Sequence, residues 1–246
     1  MSNIPKVIHY CWFGNKKKPK IVRECIESWR VNLPDYELIE WNENNFNIEE
    51  FEFTREAYKN KKWAFVSDYC RTWVLYNYGG VYLDTDMEVV KNIDAILNQK
   101  SFLGVEGNGE INGAIWGCSK EDPFAKAVLD YYNSLKFEEL KKNPINLTIP
   151  KILTKIAKKE GFKDGQEIEH INEVTIYPKQ YFYPKYYCWE QAIITNKTYT
   201  IHHYEGSWKS MGVIFVEKIK KLLIDIFGYD KVCNHSKKIK EQAENK

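Results

Sequence analysis

The stretch Gly79-Gly80-Val81-Tyr82-Leu83-Asp84-Thr85-Asp86 decides how this chain is read. Two glycines lead into a short apolar run, which ends on two carboxylates spaced i and i+2. Alternate side chains of a strand share a face, so Asp84 and Asp86 should project the same way from its carboxyl end. Paired hard oxygen ligands suit Mg²⁺ or Mn²⁺, ions that take one or two carboxylates and fill their other positions with water and phosphate oxygens. The implied ligand is phosphorylated, most simply a nucleotide diphosphate. An isolated Asp-Xaa-Asp is more often a solvated turn, so the surrounding sequence must choose.

Immediately upstream, residues 64–78 have helical spacing, with Phe65, Tyr69, Thr72, Trp73 and Tyr76 along one side. Gly79-Gly80 ends that helix in the manner of a glycine C-cap. Asp68 and Arg71, three apart, share another face of it. Alone they read as a surface ion pair; ahead of a glycine-entered strand ending in two aspartates they read as part of a ligand site. Further back, residues 7–13 form a β-branched and aromatic run, 19–29 a helical stripe and 36–41 an alternating strand. This β-α-β order opens a nucleotide-binding α/β domain with sites at strand carboxyl ends. Downstream, 101–105 and 114–118 read as strands, 123–135 and 149–159 as helices, and 174–204 as short strands and tyrosine-rich loops. Residues 213–227 have helical periodicity, and the last ten should fray.

The composition narrows the function classes. A chain of 246 residues with 43% hydrophobic and 15% aromatic content has enough apolar matter for a substantial core. A net charge of +2 gives no basic footprint for nucleic acid. The six cysteines form no Cys-Xaa-Xaa-Cys pair and suit reduced thiols in a cytosolic protein. The start of the chain lacks signal-peptide architecture, and no apolar stretch approaches the roughly 20 residues of a membrane span. The expectation is a cytoplasmic protein, at most peripheral to the inner face of a membrane.

Three segments together resemble a known family. Ile4-Pro5-Lys6-Val7-Ile8-His9-Tyr10-Cys11-Trp12-Phe13-Gly14 is similar to the opening of bacterial capsular polysaccharide glycosyltransferases of family 32. Ala64-Phe65-Val66-Ser67-Asp68-Tyr69-Cys70-Arg71, leading into the stretch quoted first, resembles their sugar-binding region with its Asp-Xaa-Asp motif. His202-His203-Tyr204-Glu205-Gly206-Ser207-Trp208 resembles their C-terminal signature. Yeast-type initiating mannosyltransferases and the glucosyltransferase domains of clostridial toxins share parts of the pattern. The motifs come in the family's order, which is more specific than any one of them.

The resemblance implies a GT-A fold, a single Rossmann-like α/β domain with a C-terminal helical extension. It also implies metal-dependent, retaining transfer from a nucleotide-sugar, with UDP-sugar preferred over GDP-sugar. The transferase domain would occupy 1–210, with a nucleotide part at about 1–110 and an acceptor part at 111–210, and 211–246 would be helix and flexible tail. By position Asp84 and Asp86 would bind the metal, Mn²⁺ or Mg²⁺, and Asp68 and Arg71 the donor ribose and sugar hydroxyls. Trp12 would stack the nucleobase, unless it is core. Ser207 and Trp208 would close over the diphosphate, and His203 or His202 would complete the metal shell. The two histidines alternate faces, so one at most can reach it, and His203 is favoured. Glu110, Asn112 and Glu190 are polar candidates for the far side of the sugar. His9 reads as a hydrogen-bonded core histidine, and the rings of 177–189 mostly as packing.

The acceptor would be a growing surface polysaccharide or lipid-linked oligosaccharide. Rival readings are an effector-type transferase with a protein acceptor and a non-catalytic binder of nucleotide-sugar or glycan. A two-metal phosphatase or nuclease would need more clustered ligands than the chain offers.

Overall fold

A computed structural model describes residues 4–142 and 144–205, with scattered positions between 216 and 228. The chain alternates as expected at first. Strand β1 (Val7–Cys11), helix α1 (Lys20–Asn32) and strand β2 (Glu37–Trp41) make the opening unit. Helices α2 (Glu52–Lys59) and α3 (Trp63–Tyr78) precede the short strands β3 (Gly80–Leu83) and β4 (Met87–Val89). The hairpin of β5 (Ser101–Val105) and β6 (Ile111–Cys118) is followed by α4 (Pro123–Ser134), α5 (Phe137–Lys142) and α6 (Ile149–Lys159). Strands β7 (Glu169–Ile171), β8 (Val174–Tyr177) and β9 (Thr200–His202) complete the described fold. Helices α2 and α5 and strands β4 and β7, each short, go beyond the elements expected from the sequence; β6 begins three residues before the expected strand.

Seven strands form one sheet in the order β2-β1-β3-β6-β5-β8-β7. β1 pairs in parallel with both β2 and β3, and β5 with β8, while β6 and β7 run antiparallel to their neighbours. β4 leaves this sheet and pairs with β9 as a separate two-stranded ribbon. β3 is hydrogen-bonded on both sides and wholly buried, which explains its unbroken apolar run. Tyr82 joins the core shared with α3, α4 and α6, while Val81 and Leu83 join the one shared with α1. The central strand therefore ties both cores together.

The entry into β3 needs its two glycines. Gly79 stands at φ +68° and donates its N–H to the Leu75 carbonyl at 2.9 Å, closing α3. A Cβ there would lie 2.6 Å from the Lys120 backbone nitrogen. Gly80, at φ +106°, lets β3 pass the Val7 carbonyl and the His9 ring, which a Cβ would meet at 2.9 and 3.0 Å. His9 is the core histidine expected. Its Nδ1 accepts from Trp41 Nε1–H at 3.1 Å, so Nε2 donates to the Gly79 carbonyl at 2.9 Å. Burial lowers its pKa, in keeping with a neutral ring.

Between β5 and β6 the register shifts across Phe102 and Gly104, a bulge-like irregularity in the strand beside β3. Side chains take up the polar groups it releases. The Ile115 N–H donates to the Tyr183 hydroxyl at 3.2 Å, and the Gly113 carbonyl accepts from Arg71 at 2.7 Å. Phe182 and Tyr183 are fully buried, so packing accounts for these rings of the aromatic stretch. The expected C-terminal helix at 213–227 and the tail fall, apart from scattered positions, outside the described residues. Among the described residues no helix is long and apolar enough to cross a membrane.

Candidate metal and donor site

Asp84 continues the β3–β6 ladder by one bond, its N–H donating to the Ala114 carbonyl at 2.8 Å. The Met87 N–H then donates to the Asp84 carbonyl at 2.9 Å, so the aspartate pair spans a tight turn between β3 and β4. This turn differs from the continuous strand expected. The two carboxylates still converge, because β4 pairs with β9 in a register that sets Met87 opposite His202. His202 Nε2 comes within 3.3 Å of Asp86 Oδ1. One ligand atom from each of Asp84, Asp86 and His202 lies within 4.8 Å of the others.

The favoured histidine is thereby corrected. His203 faces away and its Nε2 pairs with Glu88 Oε2 at 2.8 Å; His202 is the one that joins the carboxylates. Alternation allowed only one, but choosing between them required the β4–β9 register. Nothing in the local sequence supplies that register.

Each carboxylate has its own support. Arg71 Nη2 donates to Asp84 Oδ1 and to Asp68 Oδ1, both at 2.9 Å, and Nη1 donates to the Gly113 carbonyl. The guanidinium also lies 4.5 Å from the centre of the Tyr82 ring, whose hydroxyl donates to Asp84 Oδ1 at 3.0 Å. Asp68 further accepts from the Ile149 N–H at the start of α6. Burial pushes the Asp68 carboxyl up to about 7, against the pull of Arg71. Asp68 and Arg71 are thus buried, and the groups they touch include Asp84 itself.

Asp86 is braced from the other side. Its Oδ2 accepts from the Glu205 N–H at 2.9 Å, and its carbonyl from the His203 N–H at 3.0 Å. Burial would raise its pKa, but the charge and hydrogen bond of His202, with the Glu205 and Asp86 backbone N–H groups, hold it at about 2. For His202, burial works downward, yet Asp86, Glu106 and Asp84 together raise it above its ordinary value. Three anions around one imidazole make a site that attracts positive charge.

The residues fit a divalent cation. The donor set is two carboxylates and an imidazole, and the buried His202 Nδ1 has no hydrogen-bond partner. Asp84 leaves 27% of its side chain exposed, against 15% for Asp86 and 10% for His202, so a ligand can enter on its side.

Trp12 follows β1, the parallel neighbour of β3, at the same carboxyl edge. It is partly buried, its Nε1–H donates to the Lys16 carbonyl at 2.6 Å, and Lys18 lies 5.6 Å from its ring centre. Ser207 and Trp208 lie outside the described residues; the chain leading to them runs past Asp86 through Glu205. Of the far-side candidates, Glu110 is paired with Lys151 and Glu190 accepts from the Tyr186 and Tyr187 N–H groups. Asn112 is buried and bonded to Glu106, a buried acid that the sequence reading passed over. Its only signal was position, at the carboxyl end of an apolar strand.

Residues 19–103 match the glycosyltransferase sugar-binding region containing a DXD motif. That part of the chain is therefore similar to the sugar-binding region of DXD-containing glycosyltransferases. The chain is 28% identical over 133 residues to inositol phosphoceramide mannosyltransferase 3 of Schizosaccharomyces pombe, covering 51% of this chain and 36% of that protein. It is 29% identical over 177 residues to lactosylceramide 4-alpha-galactosyltransferase of Mus musculus, covering 65% of this chain and 46% of the relative. The chain therefore spans less than half of either protein. Its fold is that of the solved PaToxG glycosyltransferase, with a TM-score of 0.53 over 65% of this chain and 71% of that one, at 20% identity. The expected GT-A architecture and the yeast mannosyltransferase resemblance both stand.

Proposed function

We propose that the protein transfers a sugar from a nucleotide-sugar, held through a divalent cation, to a glycan or lipid-linked glycan acceptor. The carrying observation is the convergence of Asp84, Asp86 and His202 at the carboxyl end of the central strand, within the segment that matches the DXD region. A cation bound there, Mn²⁺ or Mg²⁺, would neutralise the charge growing on the leaving diphosphate. The chain's own residues position and screen. Arg71 and Tyr82 fix the Asp84 carboxylate, while Glu205 N–H and the β4–β9 pairing fix Asp86 and His202. Preorganised charge of this kind acts without reorganising during the reaction.

The nucleoside belongs over β1 and β2, with Trp12 as its stacking surface, because ligands of open α/β sheets lie across strand carboxyl ends. Asp68 and Arg71 act on the donor through Asp84. UDP is the preferred nucleotide, retention of anomeric configuration follows from the family resemblance, and the work is done at the cytoplasmic face of a membrane. A lipid-linked acceptor, on the way to a surface polysaccharide, is supported by relatives whose names specify ceramide lipids.

The test is nucleotide release from a panel of UDP- and GDP-sugars with Mn²⁺ or with EDTA, comparing wild type with Asp84→Asn/Asp86→Asn. Release from one donor, dependent on Mn²⁺ and lost in the variant, is expected. Absence of both release and calorimetric donor binding with Mn²⁺ would sink the assignment. Transfer to a protein in preference to a glycolipid would shift the reading to an effector.

A further inference from the structure

The carboxyl edge of the sheet carries a row of functional positions. In sheet order these are Trp12 after β1, Asp84 after β3, Asn112 near the start of antiparallel β6, and Glu106 after β5. A diphosphate on Asp84 and Asp86 with its nucleoside over β1 directs the transferred sugar the opposite way, towards β6 and β5. What stands there is a fixed polar pair. Asn112 Oδ1 accepts from the Ala114 N–H at 2.8 Å, and its Nδ2 donates to the Glu106 carboxylate. The Asn112 carbonyl accepts from the Tyr183 hydroxyl at 3.0 Å, and Ala114 is the residue whose carbonyl holds Asp84.

Both residues are more than nine-tenths buried, at 7% exposure for Asn112 and 8% for Glu106. A buried carboxyl group is costly unless it has a task or a partner. Glu106 has one amide partner, and Asn112 keeps a second N–H beyond the one it donates. Ala114 links the pair to the metal centre, its N–H bonded to Asn112 and its carbonyl to the Asp84 N–H. The neighbouring cations are already engaged, Arg71 by Asp68 and Asp84 and Lys151 by Glu110. Among the described residues this wall thus offers one donor and one acceptor, and no unengaged cation to receive a second carboxylate.

We propose that Glu106, with the Asn112 amide it holds, is the sugar-reading wall of the donor pocket, taking a neutral hexose through its hydroxyls and rejecting a hexuronate. Asn112 supplies the N–H to a hydroxyl oxygen, and Glu106 accepts from a hydroxyl and orients Asn112. The inference rests on the transferase reading above.

Calorimetry in Mn²⁺ separates the two. The probes are UDP, UDP-glucose, UDP-galactose and UDP-glucuronate, with GDP, GDP-mannose and GDP-mannuronate as the second series. Wild type should bind one hexose donor more tightly than the bare diphosphate and the matching hexuronate more weakly. Glu106→Gln, which keeps the shape and removes the charge, should cut the preference for hexose over hexuronate by about tenfold. Asn112→Ala should remove most of the gain that the hexose adds, and it decides the matter if the first variant does not fold. The bare diphosphate is the internal reference, because it touches the metal site and not this wall. Diphosphate binding with an unchanged sugar preference in both variants, or a wild type that favours the hexuronate, overturns this inference alone. No binding of UDP or GDP overturns the transferase reading and this inference with it.

Discussion

Asp84 and Asp86 are two residues apart, and the structure holds them in different ways. Asp84 is secured from within one short stretch of chain and its sheet neighbour: Arg71 and Asp68 come from the preceding helix, Tyr82 from the same strand, and Ala114 from the adjoining one. Asp86 depends on a ribbon whose second strand arrives from residues 200–202. The free edge of that ribbon is clamped by α1: Trp29 Nε1–H donates to the Met87 carbonyl at 2.7 Å, and Ser28 Oγ accepts from the Val89 N–H at 3.0 Å. One half of the site is a buried charge network in the central core, and the other is a small tertiary junction. Changes in the first should therefore act on folding, and changes in the second on metal affinity.

Arg71→Met probes the first half and should have the largest effect. Removing the cation leaves Asp68 and Asp84 facing each other without compensation, and breaking a buried pair in this way costs about 3 to 5 kcal/mol. Urea unfolding measures it; a loss below about 1 kcal/mol would mean that the network does not hold Asp84.

The junction is tested by Mn²⁺ titration of His202→Ala and His203→Ala. Loss of a ligand should weaken binding by about tenfold or more, whereas loss of His203 should change it by less than about threefold. The reverse order would return the metal to His203.

Titration of pH sharpens the contrast further. His202 has its pKa raised in the folded, metal-free protein, so its stabilising pairing with Asp86 is complete below the ordinary value of 6.5 and lost as pH rises through the folded value. A cation needs the neutral ring. Mn²⁺ affinity should therefore climb by up to about tenfold per pH unit until His202 has lost its proton and then level off, while the metal-free protein loses stability over the same range. Flat affinity from pH 6 to 8 would remove His202 from the shell.

Trp29→Phe is the mildest test. It keeps most of the ring and leaves the Met87 carbonyl without its donor, at a cost of about 1 to 2 kcal/mol. If the clamp matters to the site, Mn²⁺ affinity falls in parallel, whereas a loss of stability alone would make it simple packing.

The same contrast explains what could be read in advance. The opening β-α-β unit, α3 and the aspartate pair were legible because their signals are local: apolar period, glycine stops and carboxylate spacing. Helix α2 escaped because its eight residues carry little more than two turns of pattern. Strand β4 escaped because three residues show no period, and its existence depends on β9 and α1. Asn112 was a candidate by position, but Glu106 looked ordinary because a buried acid announces itself only once its partner is seen.

By itself, then, the sequence determined the chemistry available to the site: two hard oxygen ligands at a strand end, a helix carrying Asp68 and Arg71, and a histidine pair far along the chain. Tertiary structure decided how these groups are used. It spends Arg71 on Asp84, selects His202 over His203 through the β4–β9 register, and sets Glu106 against Asn112 beside the metal centre. The physical reason is one of range. Backbone period and turn chemistry act over a few residues, whereas strand register across more than a hundred residues is fixed only when the whole core packs.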